Sequence, residues 1–335
     1  MNWFERITGF PERDYKLTQS LLQIVDGQLV SAHSERHWGV GRFETPTLAQ
    51  LREHVGSASH EDAKQTSFRA LTGNAQALHC DPANANALFQ VASQFNALEM
   101  SNPSVTPEQG VSRYANDATQ GPACAIAAGA ATIYRNYLVP LAGGMGQTAD
   151  RQIDTLSELS AALEDRPGEL WDMRNGYALC TSAGLDRLDR LLAALEDAER
   201  YRLLGQLRIG LHWDVEVTLT QMPLTVSQAF CSALPCSYSS IPRARWERFA
   251  RLVLEAAYEA TLLAGILNMR RTGCPVVYLT RPGGGAFGNA DAWIFDAITK
   301  ALGLHALSGL DVRLVSFGQV PKEYLDLEST WMTAD

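Results

Sequence analysis

A short apolar, β-branched run from Pro275 to Thr280 gives way to Gly283, Gly284, Gly285 and Gly288. These are followed by Trp293, Ile294, Ile298 and Leu302 at helical spacing. A buried strand, a glycine-rich loop and an amphipathic helix in that order point to an α/β architecture. Asn289 or Asp291 is placed to cap the helix, and Gly303 to end it. Glycines between a strand and a helix leave backbone N–H groups open at a helix N-terminus, where the dipole favours an anion. Phosphate or pyrophosphate is the ligand class this suits. The same glycines also serve a tight turn with positive φ, although three in a row exceed what one turn needs.

Two familiar phosphate motifs are excluded by context. Gly283, Gly285 and Gly288 satisfy G-x-G-x-x-G, but a dinucleotide fold opens with that unit. Here only one more strand follows, Asp311 to Phe317, and its acidic residue starts the strand instead of ending it. A Walker loop needs Gly-Lys-Ser/Thr, and Gly288-Asn289-Ala290 does not supply it.

The chain has 335 residues and a net charge of −9, with 46% hydrophobic residues. A sizeable core is available, and an acidic chain without a basic run is a poor general nucleic-acid binder. Six cysteines without a C-x-x-C pair are expected to be reduced, and no metal ligand set or cofactor is called for. The charged N-terminus does not read as a signal peptide. The most apolar stretch, Pro122 to Leu138, is interrupted by Arg135 and Asn136 and falls short of a membrane span. The expectation is a cytoplasmic protein.

Residues 1–75 read as an N-terminal extension packed on the main domain, with helices over Tyr15–Val25 and Thr47–Val55. His37 to Phe43 is a loop or edge strand. Residues 76–335 carry the α/β domain. Ala87 to Ala92 is a buried strand that runs into the polar segment Ser93-Gln94-Phe95-Asn96. Ligands sit at such strand ends in α/β folds, although a strand-ending turn has the same composition. Asn116-Asp117-Ala118-Thr119-Gln120-Gly121-Pro122 then opens an Ala-rich helix, Ala123 to Tyr137, with Pro122 in its first turn. Residues 140–206 read as a helical insertion with a short strand at Leu179–Thr181. Residues 207–219 alternate as a strand with Leu207, Ile209, Leu211, Trp213, Val215 and Val217 on one face. A strand over Gln228–Leu234 and a long helix over Arg243–Met269 lead back to the glycine loop.

This order of parts resembles the macrodomain superfamily of ADP-ribose readers and ADP-ribosyl hydrolases, over roughly residues 76–320. The strand ending in Ala92-Ser93-Gln94-Phe95-Asn96 is similar to the family's Asn-containing strand end. Gln120-Gly121-Pro122-Ala123-Cys124 is similar to its first loop and helix. Gly285-Ala286-Phe287-Gly288 is similar to the Gly-Ala-Phe-Gly loop of the poly(ADP-ribose) glycohydrolase branch. The first loop lacks the family's triple glycine and the branch's Gln-Glu-Glu, so that acid cannot be carried over. The resemblance implies a three-layer α/β/α fold with a mixed sheet, an N-terminal extension and a helical insertion. It implies that the chain binds ADP-ribose or a related nucleotide diphosphate, carried by an ADP-ribosylated protein, with hydrolysis of an ADP-ribosyl linkage as the reaction. Asn96 and Asp117 are then the catalytic candidates, Asn96 at the distal ribose and Asp117 orienting a water. Gln94, Gln120, Gly121 and Cys124 would line one side of the ligand. Gly283, Gly284, Gly285, Ala286, Phe287, Gly288 and Asn289 would line the other, with Phe287 stacking near a ribose or base.

Other readings of the same residues stay open. Asp117 also suits a turn or cap. Cys124, near a helix N-terminus, with His212 and Asp214, would make a cysteine hydrolase, whereas a small buried thiol is its bland role. A reader without catalysis, or an interaction protein whose loops are only structural, needs no chemistry at all.

Overall fold

The computed structural model describes residues 1–56, 64–166 and 168–332; the parts of the extension, the insertion and the C-terminus beyond these lie outside it. Seven strands form one sheet: β1 Arg42–Glu44, β2 Ser67–Thr72, β3 Leu88–Ala92, β4 Gly210–Glu216, β5 Thr225–Cys231, β6 Val276–Leu279 and β7 Asp311–Ser316. Their order is β1-β4-β5-β3-β6-β7-β2. The first three strands in that order pair antiparallel, and the pairs from β5 onward are parallel. The sheet is therefore mixed; its inner strands β3, β5 and β6 are buried on both faces, whereas the edge strand β2 keeps one face exposed. Residues 1–75, expected to pack on the main domain, supply both edges of its sheet, β1 and β2.

The principal helices are α1 Leu48–Val55, α2 Gln120–Ala127, α3 Glu247–Thr272, α4 Asp291–Leu304 and α5 Lys322–Met332. Side-chain alternation along the strands splits the core into two layers. Leu88, Ala229, Val277 and Val312 face α3 and α4, while Ala87, Phe89, Val226 and Tyr278 face the other way. Phe249, Val253, Leu254, Ala256 and Ala260 of α3 are all at most 2% exposed. Burial of a large apolar side chain contributes about 1.5–3 kcal/mol, so α3 is the main anchor of its layer. The helical run Arg243–Thr272 is long and apolar enough to cross a membrane by length and composition, contrary to the expectation from sequence. However, 83% of its most apolar window is buried inside the protein.

On the opposite face lie α2 and its continuation, Gly129–Ile133 and the π-turn Tyr134–Leu138. Small residues are needed here because the helix is covered on two sides. Cys124, Ala128 and Ala131 meet the sheet, and Ile126, Ala130 and Ile133 meet an N-terminal cluster of Trp3, Phe4 and Ile7. A Cβ on Gly129 would stand 2.4 Å from Ile7 Cδ1.

Three expectations are corrected. The strand over 207–219 does not keep one face: its register shifts between His212 and Val215, with Asp214 at φ 55°. This bulge sends Val215 and Val217 to the α2 side, while Leu211 and Trp213 stay with α3. Tyr15–Val25 is not one helix but a helix, Tyr15–Ser20, and a strand, Leu22–Val25. Helix α4 is capped by neither expected residue, since Ala290 holds the N-cap position without a side-chain bond, and Gly303 lies within the helix.

Candidate functional site

Strands β3 and β6 share only two ladder pairs, Leu88 with Val277 and Phe89 with Tyr278. Beyond them the strands part, and two glutamines replace the missing rungs. Gln120 accepts from Ala92 N–H at 2.9 Å through Oε1 and donates to the Gln90 carbonyl at 2.9 Å through Nε2. Gln90 accepts from Thr280 N–H at 3.1 Å and donates to Thr261 Oγ1 at 3.0 Å. The chain leaving β3 turns to α2 on one face, and the chain leaving β6 turns to α4 on the other. That divergence is a topological switch point, where open α/β sheets bind ligands. The cleft it opens has a volume of about 650 Å³, within the range of small-molecule sites.

The segment after β3 folds back sharply. Gln94 N–H donates to the Leu98 carbonyl at 3.0 Å, Ala97 takes φ 57°, and Asn96 Oδ1 accepts from Leu98 N–H at 3.1 Å. Gln94 Oε1 accepts from Met100 N–H at 2.6 Å. The fold-back brings Glu99 to the cleft wall, its own N–H donating to the Tyr114 hydroxyl at 3.0 Å. The Glu99 carboxyl lies against the first turn of α2: a Cβ on Gly121 would be 2.1 Å from Glu99 Oε1 and 2.3 Å from the Ala92 carbonyl. Oε1 is shut off from water and has no hydrogen-bond partner among the described residues. Burial, and then the Asp117 charge, raise the Glu99 pKa well above the usual carboxylate range, with the Arg135 guanidinium partly opposing them. Glu99 thus keeps its proton at a pH where an ordinary glutamate has lost it.

The glycine loop divides by role. Gly283 (φ 79°) and Gly288 (φ 72°) serve the turn; a Cβ would stand 2.5 Å from Ala233 Cβ at the first and 1.9 Å from Ser237 Oγ at the second. Gly284 is crowded by the Arg281 side chain, whereas a Cβ on Gly285 meets nothing within 4 Å. The N–H groups of Gly285, Ala286 and Phe287 have no acceptor among the described residues. Phe287 joins Tyr177 and Tyr238 in an aromatic wall, with ring centroids 5.1–5.5 Å apart. Tyr177 comes from the hairpin Trp171–Arg174/Tyr177–Cys180, so the segment expected as an insertion contributes to the cleft.

Of the residues expected at the site, Gln94, Asp117, Gln120 and Gly121 line the cleft on one side, and Gly283, Gly285, Ala286 and Phe287 on the other. Asp117 also fills its structural role, with Oδ1 accepting from Thr119 N–H at 2.9 Å. Five others lie off the cleft. Asn96 is fully buried, donating to Gln152 Oε1 at 2.8 Å, so it cannot reach a ribose. Cys124 is buried, and desolvation raises its thiol pKa. Gly284 and Gly288 shape the turn, and the buried Asn289 ties the loop to the Leu234 carbonyl at 2.8 Å. The thiol triad is not assembled: His212 bonds Arg135 Nη1 at 2.9 Å through Nδ1, and Asp214 pairs with Arg271. Sequence reasoning missed Glu99, Arg113, Tyr114, Tyr177 and Tyr238. Only Glu99 left a signal, as the one charge in the run Phe95-Asn96-Ala97-Leu98-Glu99-Met100.

No protein-family model matches the chain, and no curated protein matches it. Among solved structures it is similar to poly(ADP-ribose) glycohydrolase from Thermomonospora curvata. The TM-score is 0.45 and the identity 14%, covering 95% of this chain and 94% of that one. The same enzyme bound to the inhibitor ADP-HPD gives 0.43 and 13%, covering 96% of both chains. Poly(ADP-ribose) glycohydrolase from Deinococcus radiodurans in complex with ADP-ribose gives 0.44 and 12%, over 87% of this chain and 94% of that one. The chain is thus similar to these glycohydrolases over most of its length at low identity.

Proposed function

We propose that the cleft binds ADP-ribose or a related nucleotide diphosphate and that the protein hydrolyses an ADP-ribosyl linkage. The observation that carries this reading is Glu99: a carboxyl at the cleft wall with its Oε1 buried and unpartnered among the described residues. It is set between a helix N-terminus and a glycine loop whose Gly285, Ala286 and Phe287 N–H groups have no acceptor among those residues, and burial pushes its pKa up. The loop N–H groups of Gly285 to Phe287 and the first turn of α2 hold the pyrophosphate, as dipoles without formal charge. The aromatic wall takes the flat part of the ligand. Glu99 donates its proton to the leaving oxygen as the bond to the anomeric carbon breaks. Asp117 orients the water whose oxygen forms the new bond to that carbon and takes the proton this water gives up.

The test is release of ADP-ribose from ADP-ribosylated protein by the parent, Glu99→Gln, Asp117→Ala and Cys124→Ser, with calorimetry of ADP-ribose on each. Glu99→Gln keeps the shape and removes the proton, so turnover drops on the order of 10²- to 10⁴-fold while binding persists. Asp117→Ala loses turnover with binding largely intact, and Cys124→Ser matches the parent. No ADP-ribose binding at millimolar concentration removes the reading. Full activity in Glu99→Gln removes the acid, and binding without turnover in the parent leaves a reader.

A further inference from the structure

Arg113 lies in the 3₁₀ turn Ser112–Asn116 and lines the cleft. Its turn is pinned by the N-terminal segment: the Glu12 carboxylate accepts from Val111 N–H at 2.8 Å, Ser112 N–H at 2.7 Å and the Tyr137 hydroxyl at 2.8 Å. Gly110 turns the chain at φ 80°, and Arg113 Nε donates to its carbonyl at 2.9 Å. Nη2 has two long contacts, the Glu99 carbonyl at 3.4 Å and Met100 Sδ at 3.3 Å. Nη1 has no acceptor, and no carboxylate stands within ion-pair distance of the guanidinium among the described residues.

What sets Arg113 apart is its place: it is a cleft-lining cation without an ion-paired carboxylate among the described residues. The other cleft arginine, Arg281, is already paired with Asp291 at 2.9 Å. Glu99 meets Arg113 through its backbone carbonyl and not its carboxyl, and Asp117 lines the cleft without an ion pair to Arg113. A half-buried guanidinium, fixed at Nε and lacking a counter-charge, is a preorganised anion receptor, because an entering phosphate supplies the missing partner without reordering the side chain.

We infer that Arg113 reads the negative charge of the ligand and supplies the formal positive charge by which the cleft favours phosphate-bearing ligands over neutral nucleosides. The inference rests on the reading of the cleft as a nucleotide-diphosphate site and adds the charge that the glycine loop, offering only dipoles, does not provide.

Calorimetry of ADP-ribose, ADP and adenosine on the parent, Arg113→Gln and Arg113→Lys, each at low and high salt, tests it. Arg113→Gln should weaken ADP-ribose and ADP roughly tenfold to a hundredfold, the range of a lost charge-assisted bond, and flatten their salt dependence. Adenosine should bind all three proteins alike. Arg113→Lys should recover part of the loss, since it keeps the charge but not the fork. Thermal unfolding checks that each variant is folded. A folded Arg113→Gln that binds ADP-ribose as the parent does, with the same salt dependence, overturns the inference and leaves the cleft reading standing. A parent that binds neither ADP-ribose nor ADP overturns both.

Discussion

Replacing Gly121 with alanine adds one carbon at the place where the candidate acid meets the helix. That carbon would stand 2.1 Å from Glu99 Oε1, 2.5 Å from Glu99 Cδ and 2.3 Å from the Ala92 carbonyl, where ordinary contact is 3.4–4 Å. Its neighbours must give way by about 1 Å, and overpacking of this kind costs about 1–3 kcal/mol. Two of the three crowded atoms belong to the Glu99 side chain, which can swing away. The third is backbone at the end of β3, which cannot. The Ala92 clash has to be relieved by a shift of α2 and the Glu99 clash by movement of its carboxyl, and a catalytic acid displaced by about 1 Å loses on the order of 10² in rate. Urea unfolding of the parent, Gly121→Ala, Glu99→Ala and the double variant isolates the contact. In the Glu99→Ala background two of the three clashes vanish, so Gly121→Ala should cost less there, with a coupling of roughly 0.5–3 kcal/mol, as for residues in contact. Release of ADP-ribose by Gly121→Ala should fall with the stability loss. Equal costs in both backgrounds would refute the placement of the carboxyl against α2, and with it the reason given for its retained proton.

The raised Glu99 pKa also makes stability depend on pH. The folded state binds the proton more tightly than the unfolded chain, so this contribution is complete below the ordinary glutamate pKa of about 4.3. It is lost as pH rises through the higher folded value. Denaturant titrations should show the parent losing stability over that window relative to Glu99→Gln, and parallel curves would mean that Glu99 titrates normally. Gly285→Val should fold as the parent does, because its Cβ meets open space and its φ is ordinary, yet weaken ADP-ribose at least about tenfold by filling the cleft. Gly288→Val, with φ 72° and Ser237 Oγ in the way, should instead lower the melting temperature. Equal ADP-ribose affinity in parent and Gly285→Val, read by calorimetry, would leave the loop a structural turn.

Periodicity made the β6, glycine-loop and α4 unit legible because its residues are local and their burial is strongly patterned. The same holds for α1, whose Thr47 and Gln50 form a capping box. Tyr15–Val25 was misread although the correcting signal was present: Asp26 at φ 49° and Gly27 at φ 75° form the tight turn between Leu22–Val25 and Gln28–Ser31. The bulge at Asp214 had no such signal, since strict alternation continues through it. At the site, the strand-end position of the cleft followed from fold logic, but the choice between Asn96 and Glu99 did not. Which of two polar residues three positions apart faces the ligand depends on the fold-back at Ala97, held by Gln147, Gln152 and Thr155 from a distant segment. Tyr177 and Arg113 reach the cleft through tertiary packing alone.

The two edge strands impose an order on synthesis. Strand β2 leaves the ribosome early, but its partner β7 is far downstream: Arg69 and Asp311, which form an ion pair across that pairing, are 242 residues apart. At about 5–20 residues per second, the half-made protein carries Phe68 and Leu71 on an unclaimed strand for roughly 10–50 s. Strand β1 waits likewise for β4, with Glu44 and Trp213 separated by 169 residues. A nascent chain of this design is open to strand pairing with its polysome neighbours through that interval. Its yield in a cell should therefore follow chaperone supply and elongation rate more closely than the stability of the finished sheet.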